Sequence, residues 1–230
     1  MMAHHGWHPL LAVPVALAIG TVFGLGMGFL IQRYELPPFL VTLAGMFFAR
    51  GMAFVVSSKS ITIEHDLLTA IQEIKIVVGP KAKLDSEALI LISAMVVAIF
   101  VAHWTTFGRN VYAIGGNESS ARLMGLPVAR TKVLVYAISG FCSALAGVVA
   151  TLYMPSGNPA MANGLELDAI ACVVIGGTLL TGGVGFVAGT LGGVLIFGTI
   201  QSALIFDGSL SSSWLRISIG VLLLFFILMQ

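Results

Sequence analysis

Residues 10–31 read Leu10-Leu11-Ala12-Val13-Pro14-Val15-Ala16-Leu17-Ala18-Ile19-Gly20-Thr21-Val22-Phe23-Gly24-Leu25-Gly26-Met27-Gly28-Phe29-Leu30-Ile31, without one charged side chain. A hydrocarbon core of about 30 Å needs about 20 apolar residues in a helix to cross it. This run has that length. Gly20, Gly24 and Gly28 recur within it at four-residue spacing, on one helix face. Small residues so spaced let helices approach closely in lipid, where hydrophobic burial does not drive association. The run predicts a transmembrane helix with a packing face.

The whole chain has the same character. Charged residues are 9% of 230 and hydrophobic residues 58%, with a mean hydropathy of +1.03. A soluble domain carries about 25% charged residues, because its outside faces water. The solvent that fits this chain is a membrane. A net charge of +1 gives no basis for nucleic-acid binding. Cys142 and Cys172 lie in apolar runs and read as small packing residues, without metal-ligand spacing. The start, from Met1 to His8, lacks the basic n-region of a cleavable signal peptide. His4, His5 and His8 read as a polar tail, and no metal site is expected.

Six further segments follow the first, at 39–56, 88–104, 133–153, 167–180, 184–206 and 214–229. The expected fold class is therefore all-α, a polytopic membrane protein of about seven transmembrane segments. The fifth is short and glycine-rich, and either enters the membrane without crossing or crosses as a broken helix. Gly185, Gly189 and Gly193 repeat the four-residue spacing in the sixth. The run from Gly176 to Gly185 holds five glycines, each costing a helix up to about 1 kcal/mol relative to alanine. A hinge, a broken helix or a tight turn is implied there, of the kind that lines cavities in transporters.

Two polar stretches set the orientation. Residues 57–87 carry four lysines and five acids, whereas residues 105–132 carry Arg109, Arg122, Arg130 and Lys132 against Glu118 alone. Counting Lys and Arg, the two tie, but Arg33 lies on the side of the second and its basic residues sit close to helix ends. Residues 105–132 are placed in the cytoplasm. The C-terminus then falls inside and the N-terminus outside.

The chain lacks the phosphate loop G-x-x-x-x-G-K-[ST], H-E-x-x-H and the G-x-S-x-G elbow. Enzyme chemistry is not expected, and ATP, if it drives this protein, binds on another subunit. Ion-coupled transport places ionisable groups at mid-membrane. Here the segment interiors hold little beyond Arg50, with Glu166 and Asp168 at the entry to the fifth. Arg50 can snorkel along its helix, and the two acids suit a helix N-terminus. The second reading for all three is a polar pore lining.

The informative stretch runs from Gly108 to Pro127. It predicts a short helix from Glu118 to Met124, with Asn117 as N-cap, Glu118 suiting the helix dipole and Gly125 closing the C-terminus. So short a helix is unstable alone and needs something to dock against.

At these residues the chain resembles a family. Phe107-Gly108-Arg109-Asn110-Val111-Tyr112-Ala113-Ile114-Gly115-Gly116-Asn117, followed by Ala121 and Gly125, resembles the coupling loop of ribose-type ABC importer permeases. Leu36-Pro37-Pro38-Phe39-Leu40-Val41-Thr42-Leu43-Ala44-Gly45-Met46 resembles that family's P-x-F-I-x-T-L-G-M stretch. A third match runs from Glu166 to Thr178, with the Thr181-Gly182-Gly183 that follows. Within the family the likeness is to galactofuranose permeases, on residues 43–48 and 206–212.

The resemblance implies a single permease domain over 1–230, with residues 105–132 as its cytoplasmic coupling loop. It implies that Gly115, Gly116, Asn117, Glu118, Ser120, Ala121 and Gly125 meet an ATP-binding subunit, which carries the ATP and Mg; this chain is expected to bind no cofactor. The family pattern E-A-A-x-x-x-G is met at Ser120-Ala121 and Gly125, but Ser119 takes the acid position and Glu118 stands one place early. The family's S-G-G-I-D-L-S-V-G motif is missing, so the resemblance predicts a chain shortened at its N-terminus. The further partners implied are an external (periplasmic) sugar-binding protein, a second permease copy and bilayer lipid, in a bacterial inner membrane. For the sugar path, Thr42, Phe47, Arg50 and Thr178 are the candidates, since hydroxyls and aromatic faces suit sugar rings. The alternatives are a secondary carrier working without an ATPase and a non-transporting permease fragment.

Overall fold

The computed structural model describes residues 8–63, 76–77 and 83–206, with the isolated positions 217, 220, 221 and 224. Eight helices lie among the described residues: α1 (Pro9–Tyr34), α2 (Pro38–Val56), α3 (Ser86–Trp104), α4 (Thr106–Gly116), α5 (Glu118–Leu123), α6 (Val128–Tyr153), α7 (Leu165–Ile175) and α8 (Val187–Phe206). Two pairs of two-residue strands accompany them. β1 (Ile61–Thr62) pairs antiparallel with β4 (Ser156–Gly157), and β2 (Ile76–Val77) with β3 (Lys83–Leu84). The chain is a polytopic helical membrane protein. Among the described residues, α1, α2, α3 and α6 are long and apolar enough to cross a bilayer, and α8 is apolar over Val187–Ala203. Of the expected seventh segment, only Ile217, Gly220, Val221 and Leu224 are described, each helical; the rest lies outside the described residues.

The chain divides into two compact units, Met1–Ala94 with Ala129–Met161, and Met95–Val128 with Ala162–Gln230. In the first unit the glycine face of α1 packs on α6. A Cβ on Gly20 would lie 2.6 Å from the Ala144 Cβ, one on Gly24 would strike the Tyr136 carbonyl, and one on Gly28 would lie 3.0 Å from the Val133 Cα. Rising numbers on α1 meet falling numbers on α6, so the two run antiparallel. Close backbone approach is what these glycines supply. The β1–β4 pairing, with Ile63 N–H donating to the Pro155 carbonyl at 2.9 Å, ties the exit of α2 to the exit of α6. Both exits lie at the same end, as the charge count requires.

The turn between α1 and α2 is made by Glu35, Leu36 and Pro37. Proline disfavours helical backbone in the residue before it, and Pro38 suits the first helical position. Glu35 ends α1 in the left-handed conformation, at φ 50° and ψ 33°, which costs a non-glycine residue about 1–2 kcal/mol. Phe23 on α1 stacks on Phe48 of α2, with ring centroids 6.2 Å apart.

Two expected boundaries move by five residues, and the others among the described residues by three or fewer. Helix α6 begins at Val128, five residues before the expected 133, so residues 128–132 are its first turns and not loop. The charges of Arg130 and Lys132 lower local hydropathy, yet the helix continues at the polar interface, where charge costs little. Helix α7 ends at Ile175 and not near 180. At 1.5 Å per residue its 11 residues cover about 16 Å, half a bilayer core. The fifth segment is therefore a half-length helix, within the two readings expected of it. Its end is a complete Schellman closure: Gly177 at φ +84° donates to Val174, and Thr178 N–H to Val173.

The glycines of the sixth segment also divide. Gly189 and Gly193 lie on α8 and face the end of α7: a Cβ on either would strike Gly176 or Cys172 backbone. Gly185 precedes the helix, and its missing side chain leaves room for that of Thr178, 2.7 Å from a Cβ there.

Candidate functional site

The second unit holds the loop 105–127, built of two short helices. Thr105 caps α4, its Oγ1 accepting from Gly108 N–H at 3.2 Å. Gly108 is buried, and a Cβ there would strike the Ala102 carbonyl, so α4 folds back tightly on the end of α3. His103 and Tyr112 meet edge to face, with centroids 6.4 Å apart. Residue Asn117 serves two helices. Its N–H donates to Ala113 at the end of α4, while its Oδ1 accepts from Ser120 N–H at 2.8 Å at the start of α5.

Helix α5 is closed at its far end by a second Schellman motif. Gly125 at φ +78° donates to the Arg122 carbonyl at 3.1 Å, and Leu126 N–H to the Ala121 carbonyl at 3.1 Å. The expected cap residues thus stand at the two ends, with Met124 as C-cap and Gly125 just beyond it. Glu118 forms an i,i+4 pair with Arg122 at 3.3 Å, worth about 0.3–0.5 kcal/mol on an exposed face. Ala121 is fully buried, whereas Leu123 is 90% and Met124 68% exposed. A six-residue helix held at both ends presents two large apolar side chains outward.

The seat of this element was not legible beforehand. The turn between α7 and α8 closes with Gly182 N–H on the Leu179 carbonyl and Leu179 N–H on Val184, both at 3.1 Å. Gly182 (φ +92°) and Gly183 (φ +80°) both adopt backbone that favours glycine. This turn lies directly against the last residues of α4. A Cβ on Gly115 would sit 2.8 Å from Gly183 N, and one on Gly183 would sit 2.7 Å from the Gly116 Cα. Tyr112 completes the contact, its hydroxyl donating to the Gly185 carbonyl at 2.9 Å. Gly115 and Gly116, expected to face a partner, thus meet the chain's own glycine turn. Sequence spacing alone does not disclose this contact of Tyr112, Gly182, Gly183 and Gly185; the bunched glycines signal a turn but not what it touches.

The candidate sugar-path residues are divided between the units. Thr42, Phe47 and Arg50 lie on α2 in the first, and Thr178 follows α7 in the second. At 3.6 residues per turn, Thr42 and Arg50 lie on the side of α2 away from Ala44 and Phe48, whereas Phe47 lies beside Leu40, about 20° from it around the helix. Phe47 is exposed, and Thr42 and Arg50 are half-buried. The Thr42 hydroxyl donates to the Pro38 carbonyl within its own helix at 2.9 Å.

Comparison with known proteins agrees along the whole length. The family described as "Branched-chain amino acid transport system / permease component" matches residues 1–228. The chain is 47% identical over 225 residues to the inner membrane ABC transporter permease protein YjfF of Escherichia coli K12, covering 98% of this chain and 68% of that protein. It is 41% identical to the fructose import permease protein FruG of Bifidobacterium longum, over 100% of this chain and 69% of the relative. Identity to the ribose import permease protein RbsC of Bacillus subtilis is 39%, over 98% and 69%. The chain thus spans about two thirds of the length of these relatives. No solved structure matches it. With the family matched from end to end and its relatives aligned through every helix above, the chain belongs to this permease family, on the side of the ribose-type ABC importers, and is a multi-pass protein of the inner membrane.

Proposed function

We propose that the chain is the translocating subunit of an ATP-driven monosaccharide importer, carrying galactofuranose or a related sugar. It performs no covalent chemistry in this reading; ATP and Mg act on a separate subunit. The observation that carries it is α5, a helix fixed by Asn117 and Gly125 that turns Leu123 and Met124 outward. Leu123 and Met124 are the apolar contacts offered to the ATP-binding subunit, with Glu118 and Ser120 at the rim. Two large apolar side chains on so small a helix lose water when they enter a groove, a gain of about 1.5–3 kcal/mol for each fully buried.

Motion of α5 passes to α4, because Asn117 belongs to both. From α4 it passes to the α7–α8 turn through the Gly115–Gly183 contact and the Tyr112–Gly185 hydrogen bond. Glycine backbone in direct contact has no side chain to yield, so displacement of α4 displaces the half-length helix α7. Such a helix is the kind of element that opens and closes a path in transporters. Thr42, Phe47 and Arg50 on α2, and separately Thr178, are the sugar contacts in this reading, with a periplasmic sugar-binding protein delivering substrate and a second permease copy completing the pore. Relatives named for fructose import, ribose import and L-arabinose transport support a monosaccharide.

The test is uptake by proteoliposomes holding the chain, its ATP-binding subunit and its binding protein, given labelled galactofuranose, ribose and fructose. ATP-dependent accumulation of one sugar is expected. Uptake driven by an ion gradient without ATP contradicts the proposal and identifies a secondary carrier; assembly with no uptake in either mode identifies a non-transporting fragment.

A further inference from the structure

A groove of about 750 Å³ lies in the first unit where the end of α1 meets the start of α6. Its mouth holds Arg33, Arg130, Gln32 and Glu35, and its walls are apolar, with Phe29 and Leu134 among them. The antiparallel packing of Gly28 against Val133 puts Arg33 and Arg130 at the same membrane face, which the charge count reads as cytoplasmic. Both arginines are exposed. Phe29 is shared with a second groove of about 690 Å³ between α1 and α2. That groove is almost wholly apolar and reaches Phe23 and Phe48, toward the middle of both helices. A charged groove and an apolar trough thus adjoin at Phe29.

Glu35 adds a second observation. Among the described residues it is the one non-glycine at positive φ, a position glycine takes without strain. Glu35 lines the same groove as the two arginines. Backbone strain of this kind points to a use for the side chain.

We infer that this groove binds one phospholipid bearing a phosphoethanolamine headgroup. The phosphodiester lies between Arg33 and Arg130, the ammonium meets Glu35, and an acyl chain follows the trough past Phe29. Guanidinium groups are suited to phosphate by their planar donor fork, and basic pockets between transmembrane helices take lipid headgroups. An inorganic anion would satisfy the arginines but neither Glu35 nor the trough. The site is independent of the sugar carried and of the ATP-binding subunit.

The test is native mass spectrometry of the full chain in detergent, supplied with equimolar dioleoyl phosphatidylethanolamine and phosphatidylglycerol. Wild type should retain one phospholipid per chain, with the ethanolamine lipid favoured. Arg33→Gln with Arg130→Gln should weaken retention about 30-fold, each basic residue near a membrane surface being worth about a factor of five. Lys132→Gln, a charge on the same turn of α6 that does not line the groove, should change it little. Gly26→Leu keeps both arginines and meets no atom within 4 Å at its Cβ. It fills the trough and should also displace the lipid. Glu35→Gln should keep binding while losing the preference for ethanolamine. Equal retention by wild type, the arginine pair variant and Gly26→Leu overturns the site. So does a wild type that holds no lipid because protein closes the groove, and preference for phosphatidylglycerol overturns the headgroup assignment.

Discussion

Gly115 and Gly183 touch backbone to backbone, and a Cβ on Gly115 would lie 2.8 Å from the Gly183 nitrogen. The end of α4 and the turn between α7 and α8 can meet only because neither residue has a side chain. That contact joins the capped helix α5 to the half-length helix α7, and most of the expected behaviour follows from it.

Gly115→Ala should be destabilising, because the added methyl forces the turn away at a cost of about 1–3 kcal/mol. This outweighs the gain in helix propensity, which is at most about 1 kcal/mol. Gly183→Ala should cost more, since its φ of +80° adds about 1–2 kcal/mol of left-handed strain. Thermal unfolding in detergent measures both, and in the coupled transporter ATP hydrolysis should persist while uptake falls.

Tyr112→Phe removes only the hydrogen bond to the Gly185 carbonyl, worth about 0.5–1.5 kcal/mol. Stability should change by no more than that. Uptake per ATP hydrolysed should fall, with binding of the ATP-binding subunit unchanged. Uptake per ATP equal to wild type would show that the contact carries no motion.

The caps of α5 make a separate prediction. Asn117→Ala leaves the Ser120 N–H without its acceptor and costs about 1 kcal/mol. Gly125→Ala puts a side chain at φ +78°, for about 1–2 kcal/mol. Gly125→Arg adds bulk and charge beside Leu123 and Met124. Each should weaken recovery of the ATP-binding subunit, with Gly125→Arg the most severe. Hydrogen exchange over residues 117–126 should rise in step.

Glycine substitutions on the long helices should divide by contact. Gly24→Ala strikes the Tyr136 carbonyl and separates α1 from α6, costing about 1–3 kcal/mol. Gly147→Ala meets nothing within 4 Å and should stabilise α6 by up to about 1 kcal/mol. Melting temperatures of the two variants, moving in opposite directions, check this.

Which features the sequence disclosed follows from how local their causes are. The length of α1 was readable because crossing a bilayer is a property of a contiguous run. Both ends of α5 were readable because Asn117 and Gly125 act on backbone three or four residues away. Helix α6 begins at Val128 because Arg130 and Lys132 lower hydropathy without breaking a helix, so an apolar window misses its first turns. Gly185 fits the spacing of Gly189 and Gly193 but stands in the turn, which period alone cannot distinguish. The seat of α4 joins Tyr112 to Gly185 across 73 residues. Nothing near Gly115 announces that its neighbour is another glycine.

The most direct measurement is co-purification of the chain with its ATP-binding subunit from detergent, comparing wild type with Leu123→Glu, Met124→Glu. Both side chains are exposed, so the double substitution leaves the caps and the buried Ala121 in place. The account predicts that wild type recovers the subunit and the double variant loses it, with both chains equally folded. Equal recovery by the two, or none by a well-folded wild type, would contradict the assignment of α5 as the site where the ATP-binding subunit docks.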